Sequence, residues 1–164
     1  MKKIFYLLLS FLILSACTNA NSEDKEKEKF IDDLMSKMTL EEKAGQMNQY
    51  NGFWDATGPM PEGDYQKKRY EELKNGQVGS MLNVIGVDQI RALQKIAVEE
   101  TRLGIPLIFG HDVIHGYKTI FPIPLAESCS WDLELMQKSA RVAATEASAD
   151  GLHWTFAPMV DISR

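Results

Sequence analysis

Apolar residues along this chain fall into short blocks, and the spacing within the blocks changes from one segment to the next. A run from Ile4 to Leu14, apolar but for Ser10, follows the basic pair Lys2 and Lys3 and leads into small residues ending at Cys17. The run is too short to span a bilayer and predicts a secretory signal. From Thr18 to Lys29 no large apolar residue occurs. Such a stretch cannot bury enough surface to fold and reads as a solvated tether over 17–29. Glu23 to Lys29 are equally open to being the first turns of a helix that continues through F-I-D-D-L-M-S-K-M.

Beyond Phe30 the pattern alternates between helical and strand-like blocks. T-L-E-E at Thr39–Glu42 has the spacing of a capping box and predicts a helix to about Met47. Gln49 to Asp64 is rich in Gly and Pro and reads as a loop, with Phe53 and Trp54 as aromatic surface for packing or for a sugar face. Tyr65–Asn75 predicts a short helix stopped by Gly76. Three apolar strand candidates follow at Gln77–Leu82, Ile105–Gly110 and His153–Asp161. Between them lie helices at Val87–Thr101, with Val87, Ile90, Leu93 and Ala97 on one face, and at Leu133–Ala149. The second has Asp132 as N-cap, Gly151 just past its end, and a stripe of Leu133, Met136, Ala140, Ala143 and Ala147. Strands joined by helices of this length predict βαβ units, an α/β fold and a parallel sheet. In such folds chemistry sits beyond the carboxyl ends of the strands, which places His111, Asp112 and Asp161 on the functional face.

Charge and cysteine content narrow the partners. The chain has 164 residues and a formal net charge of −5. Removing residues 1–16 takes Lys2 and Lys3 away, leaving 16 basic against 23 acidic side chains, a net of −7. That excess disfavours nucleic acid or an anionic surface. Leu14-Ser15-Ala16-Cys17 is similar to the bacterial lipobox, which makes 1–16 a lipoprotein signal peptide, Cys17 the lipidated residue, and the lipid a link to a membrane. An exported protein, periplasmic or on the outer membrane or cell surface, is the corresponding expectation. Cys129, left without an intrachain mate, reads as a small buried hydrophobe.

The segment F-G-H-D-V-I-H-G holds the candidate chemistry. His111 and His115 have the i, i+4 spacing of a helical zinc site. Here a strand ends at Phe109 or Gly110 and Gly116 follows the second histidine, so no helix of useful length fits, no third ligand is signalled, and no metal is expected. Ser80, Ser130 and Cys129 lie in no nucleophile signature. Both histidines read as hydrogen-bonders that fix the loop. Asp112, directly after a buried strand, is able to accept two hydrogen bonds from adjacent sugar hydroxyls or to cap the local backbone; the residues alone leave both open.

The segments T-L-E-E-K-A-G-Q-M, G-x-V-G-S-M-L-N, T-R-L-G-I-P-L-I-F-G-H-D-V-I-H-G-Y-x-T-I-F-P-I-P-L, S-W-D and W-T-F-A-P-M-V-D-I-S-R resemble glycoside hydrolase family 3, in its bacterial periplasmic beta-glucosidase branch. The branch cleaving N-acetylglucosaminides has a D-x-E-G-G-type sequence where this chain has Asp112-Val113-Ile114-His115-Gly116. The resemblance covers Phe30 to Arg164 and implies a (β/α)8 TIM-type barrel, of which residues 30–164 supply about three βα units out of eight. It also implies a retaining beta-glucosidase acting on terminal non-reducing β-D-glucosyl residues, with two carboxylates ~5 Å apart and no cofactor. In the family the nucleophilic aspartate follows a later strand and the acid/base comes from a second domain. No catalytic residue is therefore expected in this chain, which reads as a fragment, inactive and poorly soluble alone. The family aspartate matching Asp112 holds sugar hydroxyls in the first subsite, so a β-linked gluco-oligosaccharide or an aryl or alkyl glucoside is the implied partner. A further sugar-binding arginine belongs to a D-P-R-W-G-R-type run and is not Arg164. A noncatalytic sugar-binding lipoprotein and a decayed remnant stand as the alternatives.

Overall fold

The structure, a computed structural model, describes residues 23–52 and 64–159. Backbone contacts divide the chain after Thr39. In the first unit, residues 23–37 form one helix, α1, so Glu23–Lys29 are helical turns. Cys17, Phe53, Trp54, Asp161 and Arg164 lie outside the described residues.

The second unit begins with α2 (Leu40–Gln46) and β1 (Gln49–Asn51), followed by α3 (Asp64–Lys74), β2 (Ser80–Leu82) and α4 (Val87–Lys95). A single π turn at Ile96–Glu100 extends α4 before β3 (Ile108–His111), α5 (Pro124–Ser128), α6 (Leu133–Ala149) and β4 (Trp154–Thr155). The strands form one sheet in the order β1-β2-β3-β4, and every pairing is parallel. This is the α/β arrangement expected from alternating strands and helices.

β1 corrects the reading of Gln49–Asp64 as a loop. Three residues with the burial pattern exposed, intermediate, exposed carry no periodic signal, and pairing with β2 from Gln49 to Asn51 makes them a strand. The other strands are shorter than their apolar blocks. β4 keeps two residues of His153–Asp161 before Pro158 intervenes, since proline cannot donate to a ladder. α5 is an unpredicted helix that starts on Pro124, where a missing N–H costs nothing.

Side chains alternate across the sheet. Tyr50, Met81 and Phe109 lie side by side in register, and Met81 and Phe109 are fully buried beneath Leu73, Leu93 and Ala97 of the helical layer. Ile108 and Trp154 belong to the opposite set and stay about half exposed, at 49% and 47%. Phe156 shares that face, because a Cβ on Gly110 would meet its ring at 3.3 Å and the Leu82 Cδ1 at 3.7 Å. The helices thus cover one face of the sheet.

Local choices support the layer. Asp132 caps α6 by accepting from Leu135 N at 3.0 Å, and Gly151 takes φ 96° just beyond it. The buried stripe of α6 is Ser139, Ala143 and Ala147, with Leu133 79% exposed, so the periodic set read from the sequence sits partly off the packed face. Gly79 lets β2 approach α2, since a Cβ there would fall 2.3 Å from the Gln46 carbonyl oxygen. Gln94 of α4 brackets the backbone before β3, donating to Leu107 O at 3.2 Å and accepting from Leu107 N at 2.7 Å. Arg102, through Nε and Nη2, holds both oxygens of the buried Glu42 carboxylate, tying α2 to the segment before β3. Cys129 is exposed, not buried: it lies just past the short α5, where its thiol donates to Leu125 O at 3.4 Å.

Candidate functional site

The carboxyl ends of the four parallel strands form a polar rim. β1 ends at Asn51, β2 is followed by Asn83, β3 ends at His111 with Asp112 next, and Thr155 closes β4. The backbone knits these ends together through Gly52 N to Leu82 O at 2.6 Å and Asn83 N to Gly110 O at 3.0 Å.

Asp112 is exposed, and its main chain is fixed on both sides. Its carbonyl accepts from Thr155 Oγ1 at 2.9 Å. The next residue, Val113, is 8% exposed and has φ 49°, a left-handed conformation unusual for a β-branched side chain. Strain of this kind persists only where the surroundings enforce it, and it concentrates at functional positions. Among the described residues nothing hydrogen-bonds to the Asp112 carboxylate oxygens. Among the described residues the carboxylate oxygens thus cap no backbone N–H, while the main chain of Asp112 is held by Thr155.

The two histidines hold loop and strand. His111 Nδ1 lies 2.8 Å from Asn83 Oδ1, and Asn83 Nδ2 donates to Asn51 Oδ1 at 3.1 Å. The His111 ring meets Tyr117 edge-on, with centroids 5.8 Å apart. His115 Nδ1 faces Phe121 O at 3.1 Å across the following loop. The residues between them are not helical, so the i, i+4 spacing does not bring the rings onto one helix face.

The loop after Asp112 is fastened to the end of α6 by two carboxylates, Glu146 in its last turn and Asp150 just past it. Glu146 accepts from the backbone N–H groups of Lys118 and Thr119 at 2.9 and 2.8 Å and from Thr119 Oγ1 at 2.6 Å. Asp150 accepts from Tyr117 Oη at 2.9 Å and pairs with Lys118 Nζ at 2.7 Å. The Thr119 hydroxyl and backbone hold the Glu146 carboxyl below its ordinary range, and the Lys118 ammonium does the same for Asp150. Burial first, and then the Asp150 carboxylate, push the Tyr117 phenol well above its usual value. Sequence reasoning missed this clamp, although the spacing of Glu146 and Asp150 on one helix face was visible.

The Glu146 contribution has a definite pH sign. A carboxyl whose folded-state pKa is lowered stabilises fully above its ordinary value of 4.5 and ceases to do so as pH falls through the lowered value. Glu146→Gln should therefore reduce hydrogen-exchange protection of the Lys118 and Thr119 amides severalfold near neutral pH, by an amount that shrinks on acidification below 4.5. Equal protection in both proteins at neutral pH would remove the clamp from consideration.

Parallel strands under a helical layer, with Asp112 just beyond their carboxyl ends, define a parallel α/β domain of the kind found in α/β barrels. The chain belongs to glycosyl hydrolase family 3, whose N terminal domain matches residues 39–164. A periplasmic beta-glucosidase of Salmonella typhimurium is 41% identical over 139 residues, covering 84% of this chain and 17% of the relative. A lysosomal beta glucosidase of Dictyostelium discoideum is 28% identical over 157 residues, 83% of this chain and 19% of its own. Among solved structures, a beta-glucosidase from Listeria innocua in complex with isofagomine is similar at 42% identity and a TM-score of 0.70, covering 83% of this chain and 18% of that one. The chain thus spans under a fifth of the length of these relatives, and its sheet corresponds to part of their N-terminal barrel.

Proposed function

We propose that this chain forms the first-subsite wall of a retaining beta-glucosidase that hydrolyses terminal non-reducing β-D-glucosyl residues, with Asp112 accepting hydrogen bonds from two neighbouring hydroxyls of the terminal glucose. The observation that carries this is the Asp112 carboxylate itself: its main chain is pinned by Thr155 and Val113 while its oxygens are open among the described residues. Adjacent ring hydroxyls at fixed spacing suit two carboxylate oxygens, and a charged acceptor makes such bonds about twice as strong as neutral ones. The Listeria relatives were solved with isofagomine, glucose and laminaribiose, ligands of the glucose type.

In this reading the nucleophile and the acid/base are supplied by residues other than those of this chain. Export as a lipoprotein through Cys17 accompanies it, in keeping with the periplasmic relative. The test compares residues 17–164 with the product of the complete reading frame containing them, on an aryl β-glucoside and the matching xyloside. Turnover of the glucoside only by the longer product is the expected result. Turnover by 17–164 alone would refute the division of labour, and a longer product preferring the xyloside would refute the sugar assignment. Cys17→Ser should abolish incorporation of labelled fatty acid; label retained in that variant would exclude the anchor.

A further inference from the structure

The rim contains a side-chain hydrogen-bond chain that crosses three strands. Asn51, Asn83 and His111 stand at the ends of three adjacent strands and join side chain to side chain. Direction along the chain is fixed by chemistry. The Asn83 amide nitrogen donates to Asn51, so Asn83 Oδ1 is the acceptor left for the imidazole, and His111 Nδ1 must carry the donated hydrogen. The nitrogen Nε2 is thereby not the one engaged with Asn83.

The backbone is shaped around this arrangement. Asn83 takes φ 59°, the left-handed region that asparagine tolerates better than most residues. Its N–H donates to Gly110 O, immediately before His111. The His111 ring is flanked on the other side by Tyr117, whose hydroxyl is held by Asp150, the residue that follows α6. His111 is therefore gripped from β2 and from the loop clamped to α6, and Asp112 is the next residue.

We propose that His111 is a positioning residue for Asp112, acting through the Asn51–Asn83–His111 chain to set the direction of the Asp112 carboxylate toward the sugar. This rests on the assignment of Asp112 as the hydroxyl acceptor. A carboxylate that reads two hydroxyls at fixed spacing tolerates little misalignment, and one unlinked neighbour is enough to loosen it.

The test is an isofagomine binding constant, with KM and kcat for an aryl β-glucoside, on the complete gene product. Asn83→Gly deletes the middle link without backbone strain, because glycine accepts φ 59°. His111→Leu deletes the inner link, and His111→Asn keeps an N–H donor near the Nδ1 position. Asn83→Gly and His111→Leu should each weaken isofagomine binding about fivefold to tenfold, the worth of one hydrogen bond. The double variant should be no weaker than the worse single one, since both cut one path. His111→Asn should recover binding to within about twofold, and the nitrogen chemical shifts of the wild-type ring should report a protonated Nδ1.

Unchanged binding in Asn83→Gly and His111→Leu, beside a large loss in Asp112→Asn, would overturn the positioning role alone. Additive losses, or losses that follow a fall in Tm and are not recovered by His111→Asn, would overturn it as well. Unchanged binding in Asp112→Asn would overturn the sugar assignment beneath it. Should Asn83→Gly fail to fold, Asn51→Ala at the exposed outer end provides the cut, with about a threefold loss expected and no loss counting against the proposal.

Discussion

Asp112→Asn in the complete gene product is expected to lower kcat/KM for an aryl β-glucoside by roughly 30-fold to 1000-fold while leaving Tm within about 2 °C of wild type. On the proposed role of Asp112, the activity loss follows from replacing a charged acceptor of two hydroxyls by a neutral amide, with hydrogen bonds to charged groups worth about 1.5–3 kcal/mol each. The constancy of Tm follows from the site's construction. Thr155 bonds the Asp112 carbonyl, which asparagine retains, and no described residue bonds the carboxylate. Steady-state kinetics and a thermal melt on the same preparation decide the matter. A large fall in Tm would mean that the carboxylate is structural, and unchanged kinetics would mean that it does not face the sugar.

Phe109→Ala is expected to have the largest effect on stability, about 3–5 kcal/mol, read from the midpoint of urea unfolding. Phe109 is fully buried, lies in register with Met81 of the neighbouring strand, and packs in the same core as Leu93 and Ala97. Its removal deletes a large contact area at the centre of the sheet and leaves a cavity that the parallel strands on either side cannot collapse to fill. Trp131, 91% exposed, provides the contrast: Trp131→Ala should change stability by no more than about 0.5 kcal/mol. Similar losses for the two variants would show that the helical layer does not pack as described.

What could be read from the sequence depended on how far apart the interacting residues lie. The α6 boundaries were legible because Asp132 and Gly151 are local signals, and both take the predicted roles. The position of Asp112 followed from the apolar block that ends at Gly110, and the parallel pairing followed from strand and helix alternation. β1 was not legible, since its three residues become a strand only by pairing with Ser80–Leu82, some thirty positions later. The Asn51–Asn83–His111 chain and the grip of Glu146 on Lys118 and Thr119 escaped for the same reason: their separations run from 27 to 32 residues. Cys129 shows the limit of composition. Cysteine is usually buried, but this one follows a five-residue helix whose Leu125 is itself 76% exposed.

The clamp of the Tyr117–Thr119 segment onto α6 also bears on the entropy of binding. Ordering one residue's backbone costs about 1–2 kcal/mol, which on association is close to a tenfold or larger change in Kd for each residue that a ligand must immobilise. Glu146 and Asp150 fix three consecutive residues beyond the Asp112 turn when the chain folds. On the proposed role of Asp112, a sugar arriving there would meet a segment whose freedom has already been given up, so that none of its binding free energy would go into ordering that loop.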